Sequence, residues 1–260
     1  MSVSVALMGH PKRQPFIDEL VPQLPGIEVV LDRHDDRWET GRRSLLAFDP
    51  AAKWHLTVQD DAILSRDLIP ACEKVVEAAG ERPVALYTGK VRPHHNTVQP
   101  AYRRARRTGS PWLEMEGPWW GVAIILPTAH IPDVVAWGDD HPEIQNFDRR
   151  IAAWYKHVAG IDCWYTVPSL VDHRPADDNP SMIPKRTGNR QAHWFIGEDR
   201  SGLEVDWSLP PVGLGDKQAV FRNEAGQRRR ARVGTVRYRR LTQNPRWTEE
   251  VPNAPVRAAA

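Results

Sequence analysis

Short apolar runs alternate with stretches of helical period along the first third of the chain. Residues 3–10, VSVALMGH, are apolar and closed by Gly9 and Pro11, which predicts a buried strand feeding a loop. PFIDELVPQL has helical spacing interrupted by Pro22, and IEVVLD (27–32) repeats the strand pattern after Pro25-Gly26. Two strands with a helix between them open a βαβ unit. TGRRSLLAFDPAA predicts a helix opened by Thr40. WHLTVQ (54–59) is apolar and too short for a helix, so it reads as a strand, and it ends abruptly in Asp60-Asp61. RDLIPACEKVVEAAG gives a helix with Pro70 near its first turn and Gly80 at its end, and PVALYTG gives another strand. Such alternation predicts an α/β fold with a mostly parallel sheet covered on both faces.

Beyond residue 90 the pattern loosens. Residues 91–111, with His94, His95 and the cluster Arg103, Arg104, Arg106 and Arg107, show no sustained period and are expected to form a mobile loop. PWLEMEGPWWGVAIILP returns to strand chemistry around Gly121. Ile131–Trp137 and NFDRRIAAWYKHVAG predict two helices, and WYTVPSLVDHR predicts a strand running into a polar loop. From residue 208 the pattern changes again: QAVFRNEAGQRRRARVGTVRYRRL reads as two antiparallel strands around Glu224-Ala225-Gly226. The expected domains are therefore a catalytic body over 1–207, a basic hairpin over 208–245 and a disordered tail over 246–260.

The 260 residues are 41% hydrophobic and 26% charged, which fits a folded chain with a sizeable core. No run approaches the roughly 20 apolar residues of a membrane span, and the N-terminus does not read as a signal peptide, so a cytoplasmic location is expected. Cys72 and Cys163 fall in helix and strand patterns without metal-ligand spacing and are expected to be inert, buried thiols. The net charge of +2 hides an imbalance: from residue 211 onward eleven Lys/Arg face four Asp/Glu, which leaves an acidic body with a basic tail.

In an open α/β sheet, ligands collect outside the carboxyl ends of the strands, where Asp60-Asp61 is expected. Two adjacent carboxylates repel, and a divalent cation with oxygen ligands, Mg²⁺ or Mn²⁺, neutralises them and bridges to a diphosphate. On the pair alone, a helix cap for the helix beginning near Arg66 is an equally good reading.

HLTVQDDA followed by a helix, then GPWWGVAIILP, FDRRIAAWY, VPSLVDHR and PSMI, occur in an order that resembles GT-A fold glycosyltransferases. The chain is most similar in this to family 25 and family 2-like enzymes and to glycosyltransferases of actinobacterial phages, over roughly residues 1 to 200. The resemblance implies a metal-dependent transfer of a sugar from a nucleotide-diphosphate donor, UDP-linked, to a hydroxyl on a glycan or protein. The family's acidic triplet stands here as Gln59-Asp60-Asp61, which makes Asp61 the metal ligand and leaves a hydrogen-bonding amide at position 59. His173, with Asp172 as the alternative, falls where the family's late metal ligand arrives, and a neutral imidazole suits Mn²⁺ better than Mg²⁺. Gly121 and Trp120 correspond to the acceptor-side floor, with Ser181 close to the site. Asp148 takes the place of the general base, with Asp139, Asp140 and Glu143 as lesser substitutes. For the donor's base, ribose and diphosphate the candidates are Met8, Gly9, His10, Arg13, Asp32 and Arg33, with Arg42 or Arg43. As ordinary structural alternatives, Asp148 pairs with Arg149 or Arg150, His173 is a loop histidine, and Trp119 and Trp120 are core residues.

Two competing functions are a nucleotidyltransferase, which usually needs a third carboxylate and a glycine-rich phosphate loop, and a nucleic-acid or virion-binding protein built on the C-terminal arginines. Because the rest of the chain is acidic, nucleic acid is not expected as a partner.

Overall fold

The computed structural model describes residues 3–90, 95–175, 190–214, 218–225, 227–232, 245–246 and 248–250. Contacts divide the chain into two units, Met1–Val212 and Gly213–Ala260. The first contains β1 (Val3–Gly9), α1 (Gln14–Leu20), β2 (Glu28–Leu31), α2 (Arg37–Leu46), β3 (Trp54–Gln59), β4 (Ala62–Leu64), α3 (Leu68–Ala79) and β5 (Val84–Ala85). It continues through α4 (His95–Thr108), β6 (Trp112–Met115), β7 (Ala123–Pro127), α5 (Ile131–Asp139), α6 (Phe147–Trp154), β8 (Cys163–Thr166) and β9 (Val171–His173), and β10 (Val212–Gly213) falls at the division between the units.

These elements make an α/β fold around an eight-stranded sheet of order β10-β6-β8-β5-β7-β3-β1-β2, with β4 and β9 forming a separate two-stranded ladder. The sheet is mixed, where a mostly parallel one was expected. β1 runs parallel to β2 and β3, but β7 is antiparallel to both β3 and β5, and β6 is antiparallel to β8. Composition hides this, because Ala123–Pro127 is buried throughout and reads the same in either direction.

Three boundaries differ from the sequence expectation for local reasons. α2 starts at Arg37, because the Asp36 carboxylate caps the backbone N–H groups of Trp38 and Glu39; Thr40 lies inside the helix. The expected mobile loop over 91–111 contains α4. Val98, Ala101, Tyr102 and Ala105 are buried at helical spacing, a pattern obscured by Pro100 and by the run of arginines on the other face. The body also extends past residue 207: Trp207 is buried against Trp112, whose indole donates to the Trp207 carbonyl, and Ser110 Oγ donates to the carbonyl of Pro210.

α2, α5 and α6 meet over an apolar cluster that includes Trp38, Leu45, Ile124, Leu126, Val134, Phe147 and Ile151. Gly41 allows the closest approach, since a Cβ there would lie 2.1 Å from Cδ2 of Phe147, the residue that opens α6. Cys72 and Cys163 are free and buried, and burial raises both thiols well above their ordinary range. Among the described residues, no helix is long and apolar enough to cross a membrane.

His55, buried on β3, is held neutral. Its Nε2 faces the Ser44 carbonyl at 2.7 Å and its Nδ1 the Ser4 hydroxyl at 2.9 Å. Burial pulls its pKa down to about 4, against the two hydrogen bonds. An unfolded histidine takes up its proton near pH 6.5, so stability falls as the pH drops from there towards the folded value. The loss is about 3 kcal/mol at roughly 1.4 kcal/mol per pH unit. Denaturant midpoints measured between pH 7 and pH 4.5 are expected to show this loss, and His55→Gln to flatten it.

The second unit carries β11 (Gln218–Arg222), β12 (Arg228–Arg232) and β13 (Thr248–Glu250) in the order β12-β11-β13. β11 and β12 are antiparallel, pairing Phe221 with Arg229, and β13 pairs antiparallel with β11. The third strand lies in the stretch expected to be a disordered tail. Its sequence, Thr-Glu-Glu, is polar enough to have masked it.

Candidate active site

The ends of β1 and β3 lie side by side, with Met8 paired to Gln59, and the chain beyond each turns into one cleft of about 530 Å³. Met8, Gly9, His10, Arg13, Asp32, Gln59, Asp60, Asp61 and Asp148 all line it. The backbone sets these positions: Asp60 N–H donates to the Met8 carbonyl, Asp32 N–H to that of Gly9 and Gln59 N–H to that of Val122.

Asp60 and Asp61 are each only 3% exposed. They do not cap a helix, because β4 follows them directly and α3 begins after Asp67. Arg13 Nη1 reaches both carboxylates, 2.8 Å from Asp60 Oδ1 and 2.9 Å from Asp61 Oδ2. Pro11 starts the short 3₁₀ turn that folds Arg13 back over the strand ends. The other Asp60 oxygen accepts the His10 N–H at 2.7 Å. Burial, then the neighbouring Asp61, raises the Asp60 carboxyl above its usual range despite Arg13 and that N–H.

The β4–β9 ladder pairs Ala62 with His173 and thereby brings His173 to Asp61, with Nε2 3.2 Å from Oδ2. His173 Nδ1 faces the Arg174 carbonyl at 2.9 Å, so Nδ1 carries the hydrogen and Nε2 is directed at the carboxylate. Burial alone lowers the His173 pKa, but the hydrogen bond and charge of Asp61 outweigh it and the pKa rises. Asp172 is turned the other way, accepting the N–H groups of His173 and Ala192 at 2.8 and 2.6 Å.

Asp61 and His173 suit a divalent cation. Ligand atoms about 3 Å apart match adjacent corners of an octahedron with bonds of about 2.1 Å, and a histidine whose Nδ1–H is tied to a carbonyl offers Nε2 as donor. Asp60 has both oxygens engaged and supports the pair. A further cluster, His10, Asp32 and Asp35, has potential ligand atoms within 4.8 Å of one another. There His10 Nδ1 accepts the Lys12 N–H, which leaves the hydrogen on Nε2, donated to Asp35 Oδ1 at 3.1 Å. The hydrogen bond from His10, then the charge of Lys12, holds the Asp35 carboxyl below its usual range. This is a hydrogen-bonded arrangement without a lone pair offered by the histidine.

Asp148 stands in the first turn of α6, and Gly121 separates it from the acidic strand end. A Cβ on Gly121 would lie 3.2 Å from Asp148 Cβ and 3.3 Å from Gln59 Nε2. Arg150 does not pair with Asp148, since its guanidinium donates to the carbonyls of Gly138, Pro142 and Ile144. Arg149 N–H donates to Asp148 Oδ1 at 2.8 Å.

No model of a known protein family and no curated protein matches the chain.

The remaining candidates fall elsewhere. Trp120 is buried, packed edge-to-face on Tyr87 and Tyr165, and does not line the cleft. Arg43 is paired with Glu39 and lines a shallower groove beside β2 with Arg33, while Arg42 is paired with Asp139. That pairing also removes Asp139 as a base. Ser181 lies outside the described residues. Sequence reasoning passed over Lys12, Arg37, Asn146 and Arg190, which also line the cleft; the Lys12-Arg13 dipeptide after Pro11 was the available signal for the first.

Proposed function

We propose that the chain is a glycosyltransferase of GT-A type that uses a divalent cation, Mn²⁺ or Mg²⁺, and a nucleotide-diphosphate sugar, UDP-linked in the first instance. The observation that carries this reading is the buried Asp61–His173 pair beside a strand end, with Asp61 lining a cleft that Asp148, a carboxylate from a different element, also lines. When bound by Asp61 and His173, the cation supplies neutralisation of the charge that grows on the departing diphosphate.

The chain's own residues account for the rest. Arg13 and the His10 N–H hold Asp60 and Asp61 in fixed orientation. Lys12, Arg37 and Arg190 offer charged donors to phosphate oxygens. Asp148 accepts the proton of the acceptor hydroxyl as that oxygen attacks the anomeric carbon. Gly121, without a side chain, lets Asp148 and Gln59 come close to one another, since an added Cβ would lie 3.2 Å from Asp148 Cβ and 3.3 Å from Gln59 Nε2.

A thermal-shift screen of nucleotide sugars with and without Mn²⁺ tests the reading, because a ligand that binds the folded state raises its melting temperature by mass action. The expected result is a shift that needs both components, followed by slow release of UDP. Release of pyrophosphate instead marks a nucleotidyltransferase and overturns the reading.

A further inference from the structure

Residues 82–113 contain seven Lys/Arg and no Asp or Glu, although the body around them is acidic. α4 forms the middle of this stretch. Its inner face is buried through Val98, Ala101, Tyr102 and Ala105, and its outer face presents Arg103, Arg106 and Arg107, all exposed, at i, i+3 and i+4. Several arginines elsewhere on the surface do find carboxylates: Arg42 pairs with Asp139, Arg43 with Glu39, Arg66 with Asp67 and Glu204, and Arg200 with Glu204. Among the described residues, no ion pair joins Arg103, Arg106 or Arg107 to an acid. A solvated helix face normally intersperses both signs, so three neighbouring cations without a counter-charge mark a surface suited to a polyanion.

An aromatic platform lies against this face. The Arg106 guanidinium sits 4.8 Å from the ring centre of Trp194, and Trp194 is 40% exposed. Tyr102 stacks on His193 at 5.0 Å and donates its hydroxyl to the Trp194 carbonyl, which fixes the platform to the helix. Arginines that track phosphates beside an exposed indole that accepts an unstacked base are the two parts of a single-strand site; a duplex offers no free base face to the indole.

We propose that the arginine face of α4 together with Trp194 binds single-stranded nucleic acid. The inference is independent of the glycosyl-transfer reading. It departs from the sequence expectation, which averaged the charge of the whole body and so lost the segregation of cations onto one helix.

The test is fluorescence anisotropy of a labelled oligothymidylate with the full chain over a salt series, repeated for a triple Arg103→Ala, Arg106→Ala, Arg107→Ala variant and for Trp194→Ala. Alanine favours helix, and circular dichroism verifies that α4 persists. Each lost phosphate contact lowers the slope of log affinity against log salt by about 0.7, so the triple variant is expected to lose roughly two units of slope and at least about tenfold in affinity. Trp194→Ala is expected to weaken oligonucleotide binding by about tenfold, within the range for one stacked base, and to leave inorganic polyphosphate binding unchanged. Unaltered oligonucleotide binding by the triple variant places the contact elsewhere in the chain and overturns the proposal. It is equally overturned if Trp194→Ala has no effect, if polyphosphate competes as well as the oligonucleotide, or if a hairpin duplex binds as tightly as the single strand.

Discussion

Asp61→Asn is expected to abolish the Mn²⁺-dependent thermal shift with a nucleotide sugar and to lower donor turnover by about 10²–10³-fold, the scale of losing one electrostatic group at a reacting centre. Asparagine keeps the size and one acceptor oxygen, so Arg13 retains its bond to Asp60 and the strand end keeps its shape. The charge that raises His173 is gone, however, and burial then dominates, so the imidazole pKa falls; a histidine NMR titration follows this directly. Breaking a buried pair can cost about 3–5 kcal/mol, so circular dichroism and a denaturant midpoint are measured alongside. A folded variant with full turnover removes Asp61 from the proposed cation site.

Asp148→Asn addresses the other wall of the cleft. The amide preserves the acceptor for the Arg149 N–H but cannot take a proton. If Asp148 is the general base, kcat for transfer drops by about 10²–10⁴-fold while donor affinity, read from the thermal shift, stays unchanged. Loss of donor affinity with unchanged kcat assigns the residue to binding and sinks the base assignment. The two variants separate by which step each impairs.

Sequence reasoning located the centre of the cleft better than its surroundings. The end of β3 was legible because WHLTVQ is short, apolar and followed at once by two carboxylates, and the end of β1 and the start of β2 could be placed by Gly9 and Pro11 and by Pro25-Gly26. The contact between Asp61 and His173 was not derivable from spacing. It depends on a three-residue ladder between strands more than a hundred positions apart, and nothing local announces such a pairing. The bridging of both carboxylates by Arg13 was equally hidden, since an arginine beside a proline turn reads as surface. Trp120 illustrates the opposite error. Its place next to Gly121 suggested a sugar platform, whereas the ring fills the space above Gly89, where an added Cβ would lie 2.7 Å from its indole nitrogen.

The balance of charge in the cleft separates it from the face of α4. Its lining holds five carboxylates against four Lys/Arg side chains, with Arg13 already shared between two of the acids. A diphosphate entering there meets oriented donors and little net field, and its arrival depends weakly on ionic strength. Arg103, Arg106 and Arg107 on α4 present the reverse case, a patch of one sign whose pull fades within about 8 Å at physiological salt. If both proposals hold, ionic strength is expected to act as a selector between the two surfaces: moderate salt strips a polyanion from the helix and leaves small-molecule turnover in the cleft running.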